Sequence, residues 1–217
     1  MAFKFVCITI KKIINMKLKR SSFIKLGGAT AVGSMAAMLG SCATGASSAP
    51  CSCPGWDIEQ RIKDLGLVLP VAPKPGIFKP VLVSGNMLYT SGFGPDIPVG
   101  VVTDIPNNGT QIIGRVGEAL TLEQGKVAAR YVGLTMLAII KEHFGDLNRI
   151  CRLIKTLGMV NCTPDFYNAP GVMNGFSELM RDIWGEDCGV GVRSSVGMAS
   201  LPSNIPVEIE CIFELKS

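Results

Sequence analysis

Apolar residues recur at helical spacing from residue 122 to about residue 144, and this pattern predicts the longest helix of the chain. Four residues that share one face of that helix are Ala128, Val132, Thr135 and Ile139. Thr121 and Gln124 form a capping box at its start, and Gly145 ends it. His143 lies in the last turn, where it favours the helix dipole, so we expect it to have this local role and not to bind a ligand.

Two shorter amphipathic segments also predict helices. The first covers residues 57–65 and is followed by Gly66, and the second covers residues 172–184 and is followed by Gly185. Glycine after the last periodic residue is typical of a helix C-terminus, because glycine adopts the left-handed conformation there without strain. The chain therefore has one long predicted helix and two short ones.

Alternating apolar and polar residues predict strands at residues 81–85, 87–93 and 149–161. The Gly85-Asn86 pair between the first two predicts a tight turn and hence a β-hairpin. Residues 94–120 mix glycine, proline and asparagine, and we expect a long loop there with room for one strand. Loops of this length inside compact domains are often functional.

The C-terminal run VRSSVGMASLPSNIPVEIECIFEL predicts a second hairpin. Its second arm has an unbroken apolar face from Val207 to Leu215, with three acids on the other face: Glu208, Glu210 and Glu214. In the first arm Arg193, Ser195 and Gly197 share one face, because side chains alternate along a strand. We expect the helices to cover the apolar face and Arg193 to lie with the glutamates on the opposite, polar face.

The order of these elements predicts the fold class. Strands that precede and follow the helices in this order give an α+β fold, and we expect a two-layer sandwich of one mixed β-sheet with two main helices on one face. The 217 residues allow one domain and an appendage. We place the single domain at residues 57–217.

Apolar residues make up 47% of the whole chain, and its mean hydropathy is +0.36. The N-terminal part of the chain supplies much of this apolar content. Residues 1–41 combine a basic start with an apolar, small-residue middle, which is typical of an export signal peptide. Leu39-Gly40-Ser41-Cys42 resembles a bacterial lipobox, so Cys42 is the expected lipidation site and residues 42–56 a flexible tether. We expect an exported, membrane-anchored lipoprotein or a periplasmic protein; an uncleaved membrane helix is the alternative.

The charges are distributed unevenly along the chain. Residues 1–41 hold seven basic residues and no acid, and the remainder carries 14 basic and 17 acidic residues, which together give the net charge of +4. A mildly acidic body lacks the basic surface that phosphate neutralisation requires. We therefore expect no nucleic-acid partner.

The cysteines do not follow the spacing of metal ligands. Cys51 and Cys53 form a lone Cys-x-Cys, for which a disulfide or a free thiol is the expected state in an oxidising compartment. A bridge between Cys151 and Cys162 is conceivable. Cys211 lies on the apolar face of the last strand, and we expect it to be buried.

Three motifs resemble the RidA/YjgF family, also called endoribonuclease L-PSP or chorismate mutase-like: GNMLYTSG at 85–92, VMNGFSE at 172–178 and RSSVGMASLPSNIPVEIE at 193–210. The resemblance covers about residues 66–215. It implies a chorismate-mutase-like fold assembled as a homotrimer with ligand pockets between subunits. It also implies hydrolytic deamination of reactive enamines and imines of 2-amino acids to 2-keto acids, with no metal or organic cofactor.

The same resemblance implies roles for individual residues. Arg193 matches the family's carboxylate-binding arginine and Glu208 the acid that orients water, so these two are the candidate catalytic residues. The candidate substrate-binding residues are Phe78, Ser91, Asn174 and Ser195. Two of these four depart from the family pattern, because Phe78 replaces a pocket tyrosine and Ser195 a cysteine.

Two functions remain open at this point. The first is an enamine or imine deaminase that acts on a small carboxylate-bearing metabolite. The second is a non-catalytic trimeric lipoprotein that binds such an imino or keto acid, which Phe78 favours because its ring cannot donate a hydrogen bond. Endoribonuclease activity is the least favoured, because the body of the protein is acidic.

Overall fold

The computed structural model describes residues 54–216. The expected signal peptide, the lipidation site at Cys42 and all but the last residues of the tether lie outside this range, as do Cys51 and Cys53. None of the helices among the described residues combines the length and hydropathy needed to cross a bilayer.

The predicted helices are present, with one change at the end of the last. α1 covers Ile58–Asp64, α2 covers Leu122–Phe144 and α3 covers Ala169–Gly189. The predicted capping box of α2 forms in full, since Thr121 and Gln124 each accept a hydrogen bond from the other's backbone. α3 does not stop at Gly185; that residue breaks its regular geometry with φ 80° and ψ 175°, and helical turns resume beyond it.

Five strands form one mixed sheet in the order β1-β2-β5-β3-β4. Their bounds are Val81–Ser84, Met87–Thr90, Ile150–Asn161, Val192–Met198 and Val207–Leu215 for β1 to β5. All neighbouring pairs are antiparallel except β3 and β4, which are parallel. The α+β class and the mixed sheet are thus confirmed.

The prediction of a C-terminal hairpin was wrong. β4 and β5 do not pair with each other, because β3 lies between them and bonds to both. The segment that joins them contains Pro202 and Pro206 and holds Ser203 and Asn204 at positive φ, so it forms an irregular crossover instead of a tight turn.

The helices cover one face of the sheet. On β5 the residues of that face are fully or almost fully buried: Val207, Ile209, Cys211, Phe213 and Leu215. The other face is partly open, and apolar side chains on it remain exposed to between 40% and 66%: Leu82, Tyr89, Val192 and Val196. Cys211 is buried, as expected from the sequence.

The loop at residues 94–120 contains only isolated bridges, such as that between Asp96 and Gln111. The additional strand that the sequence allowed in this loop does not form. Prolines interrupt it repeatedly, and proline cannot donate to a β-ladder. The loop folds back onto α2, where the backbone N–H of Asp96 donates to Oγ1 of the buried Thr135 at 3.1 Å.

The disulfide between Cys151 and Cys162 that the sequence left open is not formed. Cys151 is disulfide-bonded, whereas Cys162 is a free, buried thiol whose Sγ lies 3.9 Å from the carbonyl oxygen of Phe166.

Candidate functional site

Arg193 lies on the helix-covered face of the sheet, and the expectation that it shares a face with the glutamates was wrong. It pairs with Thr156 on β3, and Thr156 pairs with the buried Cys211 on β5, so these three residues form one row on the helix side. Glu208 pairs with Met159, three positions along β3, and therefore lies on the opposite side. The predicted alternation of side chains along each strand is correct. However, the face of the sheet on which Arg193 lies is decided by the pairing of β4 with β3.

The Arg193 side chain reaches along the sheet edge to α3. Its Nη1 donates to Oγ of Ser177 at 2.9 Å and to Oδ1 of Asn174 at 3.2 Å. Its Nη2 donates to the same Asn174 oxygen at 3.2 Å and to the carbonyl oxygen of Pro170 at 3.3 Å. Helical spacing places residues 170, 174 and 177 on one face of α3, which explains how one helix supplies all the acceptors.

The positive charge of Arg193 has no negative partner in the part of the chain that the structure describes. All its acceptors are neutral, and none of the ion pairs among residues 54–216 includes it. Partial burial lowers the pKa of Arg193 below the ordinary arginine value, because burial disfavours the charged form. A half-buried, uncompensated guanidinium is suited to an anionic ligand.

The two edges of the guanidinium are used unequally. Asn174 occupies the edge formed by the two Nη atoms. On the edge formed by Nε and Nη2, the structure gives only the long bond to Pro170. This second edge is the one that a carboxylate can approach with two parallel bonds.

Pro170, which accepts from Nη2, also lines a cavity of about 580 Å³, whereas Arg193 itself is not among the residues of its wall. Ser195 and Gly197, which follow Arg193 on the same face of β4, also line it. The missing side chain at Gly197 leaves room beside Cys162, whose Sγ would lie 3.0 Å from a Cβ at that position.

Glu208 belongs to a separate group on the open face. Its carboxylate lies directly against the backbone of Gly92, where any added Cβ would overlap it. Burial, and then the nearby charge of Glu210, raise the pKa of Glu208 above the usual glutamate value. A carboxyl whose pKa is raised in this way is better matched to proton transfer near neutral pH than an ordinary glutamate.

Ser91 follows the end of β2, and Phe78 lies shortly before β1. Ser91 precedes Gly92, and its Oγ donates to the carbonyl oxygen of Lys79 at 2.8 Å, which ties it to the segment just after Phe78. Phe78 is 54% exposed, so its ring is available to a ligand or to another chain.

The six candidate residues thus form two groups. Arg193, Asn174 and Ser195 lie on the helix side of β4. Glu208 lies on the open side against Gly92, and Ser91 and Phe78 belong to the segments that flank the β1–β2 hairpin. One chain alone does not bring Arg193 and Glu208 to a common ligand, because β3 and the thickness of the sheet separate them.

Sequence reasoning missed two contributors. Ser177 stands three positions after Asn174 on the predicted helix, and this spacing was a signal that both could bind one side chain. Arg115 lines the cavity from the long loop, and nothing in the local sequence indicated its position. In residues 54–216 no group of three or more His, Cys, Asp or Glu is placed to hold a metal ion.

Comparison with known proteins agrees with the fold. No protein-family profile matches the sequence. Protein TCP17 of Trypanosoma cruzi is 32% identical over 161 residues, which is 74% of this chain and 95% of that protein. The crystal structure of Atu1372 from Agrobacterium tumefaciens, a protein of unknown function, is 37% identical and superposes with a TM-score of 0.61 over 73% of this chain and 92% of its own.

A candidate endoribonuclease from Shewanella oneidensis MR-1 is 26% identical, with a TM-score of 0.64 over 74% of this chain and 100% of its own. The present chain belongs to the RidA/YjgF family, which includes proteins named endoribonuclease L-PSP. The resemblance drawn from the three sequence motifs is thereby confirmed.

Proposed function

We propose that this protein binds a small carboxylate-bearing metabolite at Arg193 and hydrolyses reactive 2-imino or enamino acids to 2-keto acids. The observation that carries the proposal is the Arg193 guanidinium, which is half-buried, held by Asn174 and Ser177, and not balanced by any carboxylate among residues 54–216. A ligand carboxylate at its Nε–Nη2 edge supplies the missing charge.

The proposed chemistry needs little beyond positioning. The carbon of an imine is already electrophilic, so a water held by Glu208 attacks it and a new C–O bond forms. Glu208 takes a proton from the water and passes it to the imine nitrogen, which gives a carbinolamine. Glu208 then moves the remaining hydroxyl proton to the nitrogen as the C–N bond breaks and the C=O bond forms, so ammonia leaves and the 2-keto acid remains, with one water consumed.

The two groups of residues come together only if two copies of the chain share a pocket. We propose a homotrimer, in which the Arg193 side of one copy faces the Glu208 side of the next. The exposed apolar side chains of the open sheet face supply a surface for such contacts: Leu82, Tyr89, Val192 and Val196. A head-to-tail interface of this kind closes into a ring when the rotation allows it.

A second candidate function is ligand binding without catalysis. Phe78 favours it, because a phenyl ring offers no hydroxyl for proton transfer or for orienting a water. The name of the Shewanella oneidensis relative suggests ribonuclease activity. The acidic body of this chain disfavours it, since binding of a polyanion requires a basic surface.

We also propose that the protein is exported and anchored to a membrane through lipidated Cys42. The lipobox-like sequence before Cys42 supports this. Mass measurement of the protein from its native membrane fraction tests it: loss of residues 1–41 with an added lipid is expected, and an intact, unmodified N-terminus contradicts it.

The function is tested by supplying purified protein with an imino acid formed in place by an amino-acid oxidase and measuring keto-acid release. The wild type is expected to accelerate release, and Arg193→Ala and Glu208→Gln to abolish most of the acceleration while the assembly persists. If the wild type does not accelerate release but binds 2-oxobutanoate, and Arg193→Ala does not, the binding function replaces the catalytic one. Unchanged rates in a folded Arg193→Ala variant contradict both.

A further inference from the structure

The cavity that Pro170 lines has an arginine other than Arg193 in its wall. Arg115, from the long loop before α2, lines it together with Ser195 and Gly197. Its Nη2 donates to the carbonyl oxygen of Ala199 at 2.7 Å, and this bond holds the guanidinium near the end of β4. Arg193 does not line the cavity itself, but its Nη2 donates to Pro170, which does.

Arg115 remains available to a ligand. The carboxylate it pairs with belongs to Glu118, at 3.9 Å, which is too long for a hydrogen bond, and that side chain is 66% exposed. Exposed pairs of this kind are weak because water screens both charges. The bond to Ala199 uses only one side of the guanidinium, so its other donors are free to meet an anion.

The rest of the cavity wall is compatible with an anion. Its polar side chains besides Arg115 are neutral, and among the described lining residues none is Asp or Glu. The volume of about 580 Å³ is larger than a short monocarboxylate fills and falls in the range of about 300–1,000 Å³ that is usual for small-molecule sites. A single carboxylate bound at Arg193 therefore leaves part of the cavity unfilled and leaves the charge of Arg115 without a ligand group.

We propose that the ligand carries two anionic groups, with its 2-oxo or 2-imino carboxylate at Arg193 and a second carboxylate at Arg115. The substrate class is then a 2-imino dicarboxylic acid, and Arg115 is the residue that selects it over a monocarboxylic acid. This inference rests on the proposed function, because Arg193 has to hold the first carboxylate.

The test measures by calorimetry the affinity of the full assembled protein for two matched pairs of acids. These are 2-oxoglutarate with 2-oxopentanoate and 2-oxoadipate with 2-oxohexanoate, which differ within each pair only by a carboxylate in place of a methyl group. In at least one pair the dicarboxylate is expected to bind about tenfold more tightly or better, because charge-assisted hydrogen bonds are strong where water is partly excluded.

Variants of Arg115 separate selectivity from structural support. Arg115→Gln retains an N–H donor for Ala199 but removes the charge, so the affinities of the two members of each pair are expected to become similar. Arg115→Lys is expected to keep part of the preference. Arg181→Gln, an exposed arginine on α3, controls for the loss of one positive charge.

Four results overturn the inference. Equal affinities within both pairs in the wild type contradict the second anion site and leave the proposed function standing. A preference that persists in Arg115→Gln, or a loss of affinity in that variant that is equal for both members of a pair, contradicts the selecting role of Arg115. Failure of all four acids to bind contradicts the proposed function and this inference together.

Discussion

Gly92 and Glu208 fit together so closely that the carboxylate of Glu208 occupies the space of a side chain at position 92. Gly92 lies two residues beyond the end of β2, beside the bridge between Phe93 and Ile209, and Glu208 precedes Ile209 on β5. Gly92 does not have a positive φ, so the glycine is required here by space and not by backbone conformation. The backbone at Gly92 thus sets the position of the proposed acid.

Gly92→Ala is expected to displace the Glu208 carboxylate and to lower keto-acid release strongly. The cost in stability is expected to be about 1 kcal/mol or less, because the far end of a flexible side chain can move aside. Keto-acid release and thermal unfolding measure the two effects. Gly55→Ala, where an added Cβ meets nothing within 4 Å, is the control for a glycine-to-alanine change.

The effect of Gly92→Ala should depend on Glu208. In a Glu208→Gln background the second substitution is expected to lower activity little further, because residues in contact are not additive. Full additivity of the two losses contradicts the account of how Gly92 positions the acid.

Glu208→Gln is expected to change how stability depends on pH. The pKa of Glu208 in the fold lies above its usual value of 4.5, so the neutral form is favoured by folding. Its contribution is fully present below the usual pKa and is lost as pH rises through the raised pKa. As pH rises from below 4.5 through the raised pKa of Glu208, the wild type should therefore lose stability relative to Glu208→Gln, as unfolding in denaturant at each pH can show.

Glu210→Gln provides a matched control for this pH dependence. The charge of Glu210 contributes to the raised pKa of Glu208, so its removal should weaken the pH dependence without abolishing it. Identical pH profiles in the wild type and Glu208→Gln contradict the assignment.

Gly175→Ala is expected to destabilise the packing of α3 on α2. A Cβ at Gly175 would overlap the backbone oxygen of Lys126, and a backbone atom cannot turn aside as a side chain can. We expect a loss of about 1–3 kcal/mol in the free energy of unfolding, measured in denaturant. Glu178→Ala, which removes the 2.9 Å ion pair of Lys126 between the same helices, should cost about 1 kcal/mol or less. A smaller loss in Gly175→Ala than in Glu178→Ala contradicts this account.

Thr135→Val is expected to loosen the long loop that carries Arg115. Thr135 is fully buried, accepts from the Asp96 N–H at 3.1 Å and donates to the Tyr131 carbonyl at 3.0 Å. Valine has the same shape but cannot accept from the Asp96 N–H, which is left with its 3.2 Å bond to the carbonyl oxygen of Gly94, so we expect a cost of about 1 kcal/mol. Hydrogen exchange should show faster exchange in residues 94–113.

The control for Thr135→Val is Thr156→Val, which removes only a weak 3.5 Å contact with the sulfur of Cys211. Thr156→Val is expected to leave exchange in the loop unchanged. Equal exchange in the wild type and Thr135→Val contradicts the role of Thr135 in holding the loop.

Local signals in the sequence predicted the helices well. The capping box at Thr121 and the glycine after Phe144 give the bounds of α2 without error, because hydrogen bonds within a few residues decide where a helix begins and ends. The Gly85-Asn86 turn likewise predicts the pairing of β1 with β2. Gly185 interrupts α3 as its sequence position predicted, but helical turns resume after it, and no local signal indicated that continuation.

These local signals could not predict the order of the strands in the sheet. The alternation around Arg193 was right, but which side faces the helices depends on β3, a distant strand that separates β4 from β5. For the same reason the sequence motifs assigned Arg193 and Glu208 to one site. Only the register of the strands showed that the two residues lie on opposite faces of the sheet. Arg115 was missed because a long loop has no periodicity from which to place its residues.

The central claim is that Arg193 of one copy and Glu208 of another complete a single site, and mixing two inactive variants tests it most directly. Arg193→Ala and Glu208→Gln are unfolded, mixed in equal amounts and refolded together, and keto-acid release is measured. If the site is shared, some pockets combine an intact Arg193 with an intact Glu208, and random mixing in a ring should restore about a quarter of wild-type activity. If the mixture forms mixed assemblies and stays as inactive as each variant alone, the claim is contradicted.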